Sequence, residues 1–382
     1  MNIGVCKETN PLDRRVALTP PVVRQLTSRG HIVWVESGAG TGAMFSDDAY
    51  LRAGANIAYS SAEVLKRCAI TARVVGPSAE ELAHCPEGSA IMAFYHMAVA
   101  GSSVFPALLE HKITAIGCEI LQRADGRFPV LAAVSEIAGQ MTVSLATHLL
   151  RSSEGGRGIL LGGSPGVPPA RITILGAGTV GSWAARAAVT AGARVTILDV
   201  DTDKLRRVLE HVPNAATALA EPESIAEALA AADVAIGAVY IAGSRTPHIV
   251  TKEMVEAMRP GSVVIDVSID QGGCFETSRP TTLRQPTYRH KGIVHYCVPN
   301  LTADMGRSTS IAVAQAMLPY ITRIADQGFA AAMRSCPELA RAVYTCDGKC
   351  VNQRLASAWK AEYCPLEECL NGYCTHGAVV QS

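Results

Sequence analysis

Three glycines, Gly176, Gly178 and Gly181, stand at the spacing G-x-G-x-x-G in the stretch RITILGAGTVGSWAARAAVTAGARVTILDVD, Arg171 to Asp201. Each position has its own physical task. The first glycine lets the chain turn sharply, the second lets the backbone approach a pyrophosphate, and the third lets a helix pack closely on a strand. A pyrophosphate would sit on the free N–H groups at the positive end of the helix, which opens here at Thr179 and Val180. Asp199 closes a second apolar run, Val195 to Leu198. There its carboxylate would accept hydrogen bonds from adenosine ribose hydroxyls and oppose a 2′-phosphate, which favours NAD over NADP. An ordinary glycine-rich turn is the alternative. The apolar run Ile172 to Leu175 before the glycines and the acid after the second run argue against it.

Such a site needs a strand, a tight turn, a helix and a second strand, and the whole chain alternates in that manner. Asn2–Cys6 reads as a strand. Pro20 to Gly30 reads as a helix, with Thr19 as N-cap, Pro20 at the first position and Gly30 at the stop. Strands follow at His31–Glu36, Asn56–Tyr59, Ala69–Val75, Ala90–Tyr95 and 113–118. Helices near Ser46–Gly54, Ser61–Arg67 and 104–111 separate them. A long helix is expected from Ser135 to Ser152, a natural bridge between domains, and a second bridge from Thr309 to Ala325. The loop 155–170 is dense in Gly and Pro. After Asp201, strands at Val234–Val239, Ser262–Val267 and Ile293–Val298 alternate with helices near Asp203–Leu209, Glu223–Ala231 and 251–258. The alternation implies an α/β fold with mainly parallel, doubly wound sheet. Such sheets bind ligands past the carboxyl ends of their strands. Lys7, Arg15, His96 and Glu119 occupy such positions.

At 382 residues the chain can bury a large core and should divide into two domains. Lys+Arg and Asp+Glu balance at 34 each, and no basic tract suggests nucleic acid or anionic membrane as a partner. The N-terminal MNIGVCKETN lacks the apolar core of a signal peptide. No apolar run looks long and uninterrupted enough to span a bilayer, so a soluble, cytoplasmic protein is expected. Twelve cysteines in such a chain read as reduced thiols rather than a disulfide framework. Cys336, Cys346, Cys350, Cys364, Cys369 and Cys374 crowd toward the C-terminus with His376 nearby. Their spacing is irregular and holds no C-x-x-C pair, so no metal is expected.

Four stretches are far more specific than the glycine triplet: KETNPLDRRVALTP (7–20), GRGILLGGSPGVPPA (156–170), LGAGTVG (175–181) and DQGGCFETSRPTT (270–282). YCVPN (296–300) fits with them. Through them the chain resembles the alanine dehydrogenase family, which also contains the NAD-binding subunit of proton-translocating transhydrogenase. The resemblance covers nearly the whole length. It implies two Rossmann-like, doubly wound domains with a cleft between them. The substrate domain would comprise 1–133 and 305–382, the NAD-binding domain 134–304, and the assembly would be a homo-oligomer, usually a hexamer. The resemblance makes Arg15 the holder of the substrate carboxylate, a task suited to a planar guanidinium fork. It makes His96 the general acid/base, and Asp270 the carboxylate that assists the imine and carbinolamine steps. Asn300 would lie beside the nicotinamide, with Ser135, Asp199, Val239 and Leu301 near the cofactor.

Departures from the family pattern cluster on the substrate side. The family carries a lysine, in a strand reading roughly LKVKEP, that contacts the substrate carbonyl. This chain reads Ala72-Arg73-Val74-Val75-Gly76-Pro77, so Val75 stands in the lysine's place. Arg73, two residues earlier, shares a face with it on a regular strand and is a candidate to reach the substrate in the lysine's role. Cys118 stands where a tyrosine is usual before the glutamate, and Gln327 where a histidine is common. The expected function is hydride transfer between NAD(H) and a 2-amino acid or 2-oxo acid, either alanine and pyruvate or a bulkier relative. Valine favours the bulkier one, because it removes a long side chain from the pocket. Two alternatives stay open: an imine or opine-like reductase on the same scaffold, and an NAD-binding protein with weak catalysis.

Overall fold

Short runs of β-branched and other apolar residues become strands wherever glycine, proline or polar residues bound them. The computed structural model describes residues 1–373, so Cys374 and His376 of the cysteine-rich end lie outside the described residues. The strands are β1 (Asn2–Val5), β2 (Ile32–Glu36), β3 (Asn56–Ala58), β4 (Ile70–Val75), β5 (Ala90–Phe94), β6 (Thr114–Gly117), β7 (Arg171–Leu175) and β8 (Arg194–Asp199). They continue as β9 (Ala216–Leu219), β10 (Val234–Gly237), β11 (Val263–Asp266), β12 (Thr287–His290), β13 (Ile293–Tyr296), β14 (Val343–Cys346) and β15 (Lys349–Cys350). The chain forms two compact units: Met1–Val134 together with the chain from Ala303 on, and Ser135–Thr302.

The first unit holds a sheet in the order β15-β14-β6-β5-β4-β1-β2-β3. From β6 to β3 every pairing is parallel. The winding starts at β1 and runs outward through β2 and β3, then restarts at β4 and runs the other way. The order therefore reverses between β1 and β4, the kind of switch point beside which doubly wound sheets bind ligands. Buried on both faces, β4, β5 and β6 read as nearly unbroken apolar runs, as parallel strands do. The helix Pro20–Ser28 has Thr19 at its N-cap in extended conformation, although the threonine side chain makes no capping bond. Ser46 caps Asp47–Arg52 and Ser60 caps Ser61–Arg67, each through its hydroxyl oxygen.

The second unit holds the order β12-β13-β11-β10-β7-β8-β9. Only β12 runs antiparallel, against β13. Here the winding reverses between β7 and β10. The apolar faces of the sheet and its helices meet in two clusters, one around Ile172, Ile174, Ala184 and Ile236, the other around Leu198, Leu229 and Phe275.

Several elements depart from the sequence reading. The helix expected at Ser135–Ser152 runs from Pro129 to Leu149. Proline is pre-organised for a first helical turn, and Val130 to Val134 extend the helix without a breaker. The earlier start also corrects the expectation about apolar runs. Pro129–Leu149 is long and apolar enough to cross a membrane by length and composition alone. Ala138, Met141, Val143, Ala146 and Leu149 of that helix are nonetheless packed into the core of the second unit. The helix expected from Thr309 to Ala325 spans Gly306–Gln327 and belongs wholly to the first unit. Strands β9, β12, β14 and β15 went unrecognised in the sequence. They are two to four residues long, too short for a period to show, and all lie at or next to a sheet edge. All described cysteines are free thiols, with Cys364 Sγ 3.7 Å from Cys369 Sγ. Among the described residues no group of three His, Cys, Asp or Glu side chains is arranged to hold a metal.

Candidate active site

In the first unit the residues of interest follow the carboxyl ends of β1, β4, β5 and β6. The loop after β1 carries Glu8, Asp13 and Arg15. Arg15 is buried, and its guanidinium makes a fork-like pair with Asp13: Nε donates to Oδ1 at 2.8 Å and Nη2 to Oδ2 at 2.5 Å. The pair fixes the plane of the guanidinium. Glu8 lies 5% exposed, directly under the end of β4. It accepts from the backbone N–H of Val74 at 2.8 Å and of Val75 at 3.1 Å. Burial pushes its carboxyl up to about 7, against the opposing pull of Arg73.

Val75 is half-buried at the end of β4, opposite Phe94 of β5. The pairing slips between Ala72 and Val75, so β4 carries one extra residue there. That bulge breaks the strict alternation that would put Arg73 and Val75 on one face. Arg73 is 1% exposed. Its Nη1 donates to Glu81 Oε1 at 2.6 Å and its Nη2 to Thr9 Oγ1 at 2.9 Å, while Nε is buried without a partner. A guanidinium so held is part of the scaffold. Arg73→Ala should therefore cost about 3–5 kcal/mol of stability, the usual penalty for stripping one partner from a buried pair. Urea unfolding reads it directly. A variant with an unchanged midpoint would mean that the guanidinium contributes nothing to the fold.

His96 follows β5 with φ +49, in the left-handed region that non-glycine residues rarely occupy. Its ring stacks on Phe94, with centroids 6.1 Å apart. Its backbone N–H donates to Oε1 of Glu119 at 2.8 Å. Glu119 follows β6 and is 1% exposed. The sequence marks its position but no local feature marks its partners. Glu8 likewise had only its place after β1 to mark it.

In the second unit the corresponding residues follow β7, β8, β10, β11 and β13. Gly176 follows β7 with φ +104, and a Cβ there would lie 2.4 Å from the carbonyl oxygen of Ala238 in the loop after β10. A Cβ on Gly181 would lie 1.8 Å from the oxygen of Gly176. These two positions demand glycine on steric grounds. Gly178 differs: its Cβ would meet nothing within 4 Å. It caps the helix Thr179–Thr190, whose first N–H groups have no intrahelical acceptor. A turn with an open side at the positive end of a helix suits a pyrophosphate. Asp199, at the end of β8, accepts from the N–H of Ala177 at 2.7 Å and of Asp201 at 2.9 Å, with Lys204 Nζ 3.7 Å away. The acid thereby ties the glycine turn to its neighbouring strand. The residues present fit a dinucleotide.

The remaining expected positions surround that turn. The N–H of Val239 donates to Ser268 Oγ at 2.9 Å. Asp270 lies in the short 3₁₀ turn Val267–Gln271, after β11. Its Oδ1 accepts from the backbone N–H of Asn300 at 2.7 Å, and Asn300 adopts φ +55. The fold thus brings Asp270 and Asn300, thirty residues apart, into direct contact. Beneath Asp270 the buried Asp266 accepts from Ser268 N, Cys274 N and Ser278 Oγ, which braces the whole turn. Leu301 is 5% exposed and packs in the core with Val298 and Tyr296. Ser135 sits half-buried on the helix Pro129–Leu149.

Comparison with known proteins places this geometry in context. Two family models match: "Alanine dehydrogenase/PNT, N-terminal domain" over residues 4–138 and "Alanine dehydrogenase/PNT, C-terminal domain" over residues 142–353. An alanine dehydrogenase of Methanococcus maripaludis is 40% identical over 97% of this chain and 100% of its own. A solved L-alanine dehydrogenase superposes with a TM-score of 0.88 at 36% identity, over 94% of this chain and 99% of the other. A transhydrogenase structure from Sinorhizobium meliloti gives a TM-score of 0.76 at 26% identity, over 92% and 99%. With both domain models matched and relatives aligned end to end, the chain belongs to the alanine dehydrogenase/PNT family.

Proposed function

We propose that this protein is an NAD-dependent dehydrogenase interconverting a 2-amino acid and its 2-oxo acid, with alanine and pyruvate or a bulkier relative as substrates. One observation carries the reading. Gly176, Asp199, Val239, Asp270 and Asn300 gather past the carboxyl ends of five mutually parallel strands of one sheet, around its point of reversal. NAD, when bound, supplies the hydride acceptor. The turn Gly176–Gly181 would hold its pyrophosphate and Asp199 its ribose. Arg15 binds the substrate carboxylate, and His96 takes up and returns protons. Asp270, steadied by the Asn300 N–H, positions water or ammonia. Val75 favours a second reading on the same scaffold. A preformed imine brings its own charge and needs no lysine at this position. By the family resemblance the assembly is a cytoplasmic homo-oligomer, a hexamer.

The test is NADH absorbance with L-alanine, larger 2-amino acids and cyclic imines, run in both directions. Turnover on none of them would leave only a nucleotide-binding protein. Cofactor choice is tested separately. The Asp199 carboxylate should make NAD bind more tightly than NADP in isothermal titration, and Asp199→Asn should narrow the difference. Equal affinity of the unaltered protein for both cofactors would contradict this role.

A further inference from the structure

We propose that Tyr344 is a positioning residue for His96, acting through the buried carboxylate of Glu119. The inference rests on the reading of His96 as the acid/base and adds a residue from the far end of the chain.

Tyr344 lies on β14, which adds antiparallel to β6. Its hydroxyl donates to Glu119 Oε1 at 2.8 Å, across 225 residues of sequence. The same oxygen accepts the His96 N–H at 2.8 Å, and the Tyr95 N–H reaches both carboxylate oxygens at 3.3 Å. The ring is 3% exposed and meets Tyr95 edge-on, with centroids 6.1 Å apart. Gly117 makes room for it, since a Cβ there would lie 2.4 Å from Tyr344 Cε2. His96 needs such support because its φ of +49 is costly for a residue with a side chain. A carboxylate gripping its amide offsets that cost only while the carboxylate itself keeps one orientation. Within a buried site, a phenol donating to the shared oxygen supplies that constraint. Tyr344 thus touches neither substrate nor cofactor in this role. It fixes the direction in which the imidazole leaves the backbone.

The experiment uses the full chain and Tyr344→Phe, which keeps the ring against Gly117 and Tyr95. Tyr50→Phe is the control. Its hydroxyl is also buried, but it donates to the Leu18 carbonyl at 2.8 Å instead of to Glu119. On the best substrate Tyr344→Phe should lower kcat about tenfold with KM unchanged, whereas Tyr50→Phe should keep both. Amide hydrogen exchange at 95–96 should quicken in Tyr344→Phe alone. Adding Tyr344→Phe to Glu119→Gln should reduce kcat no further than Glu119→Gln does, because the two groups act in series. Unchanged exchange at 95–96 overturns the proposal, as do additive losses in the double variant or equal losses in Tyr344→Phe and Tyr50→Phe. If the unaltered protein turns over no substrate, the dehydrogenase reading fails, and hydrogen exchange alone decides the role of Tyr344.

Discussion

His96→Ala lowers turnover on the best substrate by about a hundred- to ten-thousand-fold, the usual worth of a positioned acid/base. KM for the substrate and the affinity for NAD change little. The expectation follows from how the residue is mounted. Its backbone is held by Glu119 after the next strand, and its ring stacks on Phe94, so the imidazole is presented at the carboxyl end of an interior strand. Alanine at this site removes the proton carrier and leaves the strand ends in place. Arg15→Ala serves as the contrasting variant, because it should raise KM far more than it lowers kcat. Asp13 would lose the guanidinium it pairs with, so some loss of stability should accompany it. Steady-state kinetics and titration of NAD on both variants check the pair of outcomes. Wild-type kinetics in either variant would remove that residue from its assigned role.

Val75→Lys raises turnover of alanine or pyruvate by about a hundred- to a thousand-fold, the amount that one donor to a developing charge typically contributes. The argument starts from the family resemblance, which puts a lysine at this position. Valine can neither donate a hydrogen bond nor carry charge. The unaltered protein should accordingly be slow on alanine and faster on a bulkier amino acid or a cyclic imine. Arg73 is not free to stand in, since Glu81 and Thr9 hold its guanidinium. The backbone at position 75 is itself well anchored, because Glu8 accepts from the N–H of both Val74 and Val75. A lysine placed there inherits a fixed starting point. Rates should be compared across alanine, larger 2-amino acids and cyclic imines for both proteins. Alanine turnover in the unaltered chain as fast as on any other substrate would refute the changed-substrate idea, and so would a lysine variant with no gain.

The alternation of apolar runs with helix-forming stretches sufficed to read an α/β fold, because periodicity and punctuation act over only a few residues. The glycine turn was equally legible. Its demands are local: a positive φ at Gly176 and no room for a Cβ at Gly181. The acid at 199 followed from the same short stretch. Strand ends pointed to Arg15, His96 and Glu119 as positions worth reading, since parallel sheets place their ligands there. Family membership too was visible from short motifs spread over the chain.

Tertiary structure decided what those residues touch. A two-residue offset on β4 suggested one face for Arg73 and Val75, but pairing with β5 forces a bulge between them, and no single strand records its partner's register. The role of Arg73 depended on Glu81 and Thr9, and that of Glu8 on the backbone at 74 and 75, 66 and 67 residues away. Tyr344 had no local signal, because its meaning lies in an oxygen of Glu119 that the antiparallel pairing of β14 with β6 brings to it. Sequence patterns report the burial period of each segment. Hydrogen bonds between loops from different strands exist only once the sheet order has set which loops are neighbours.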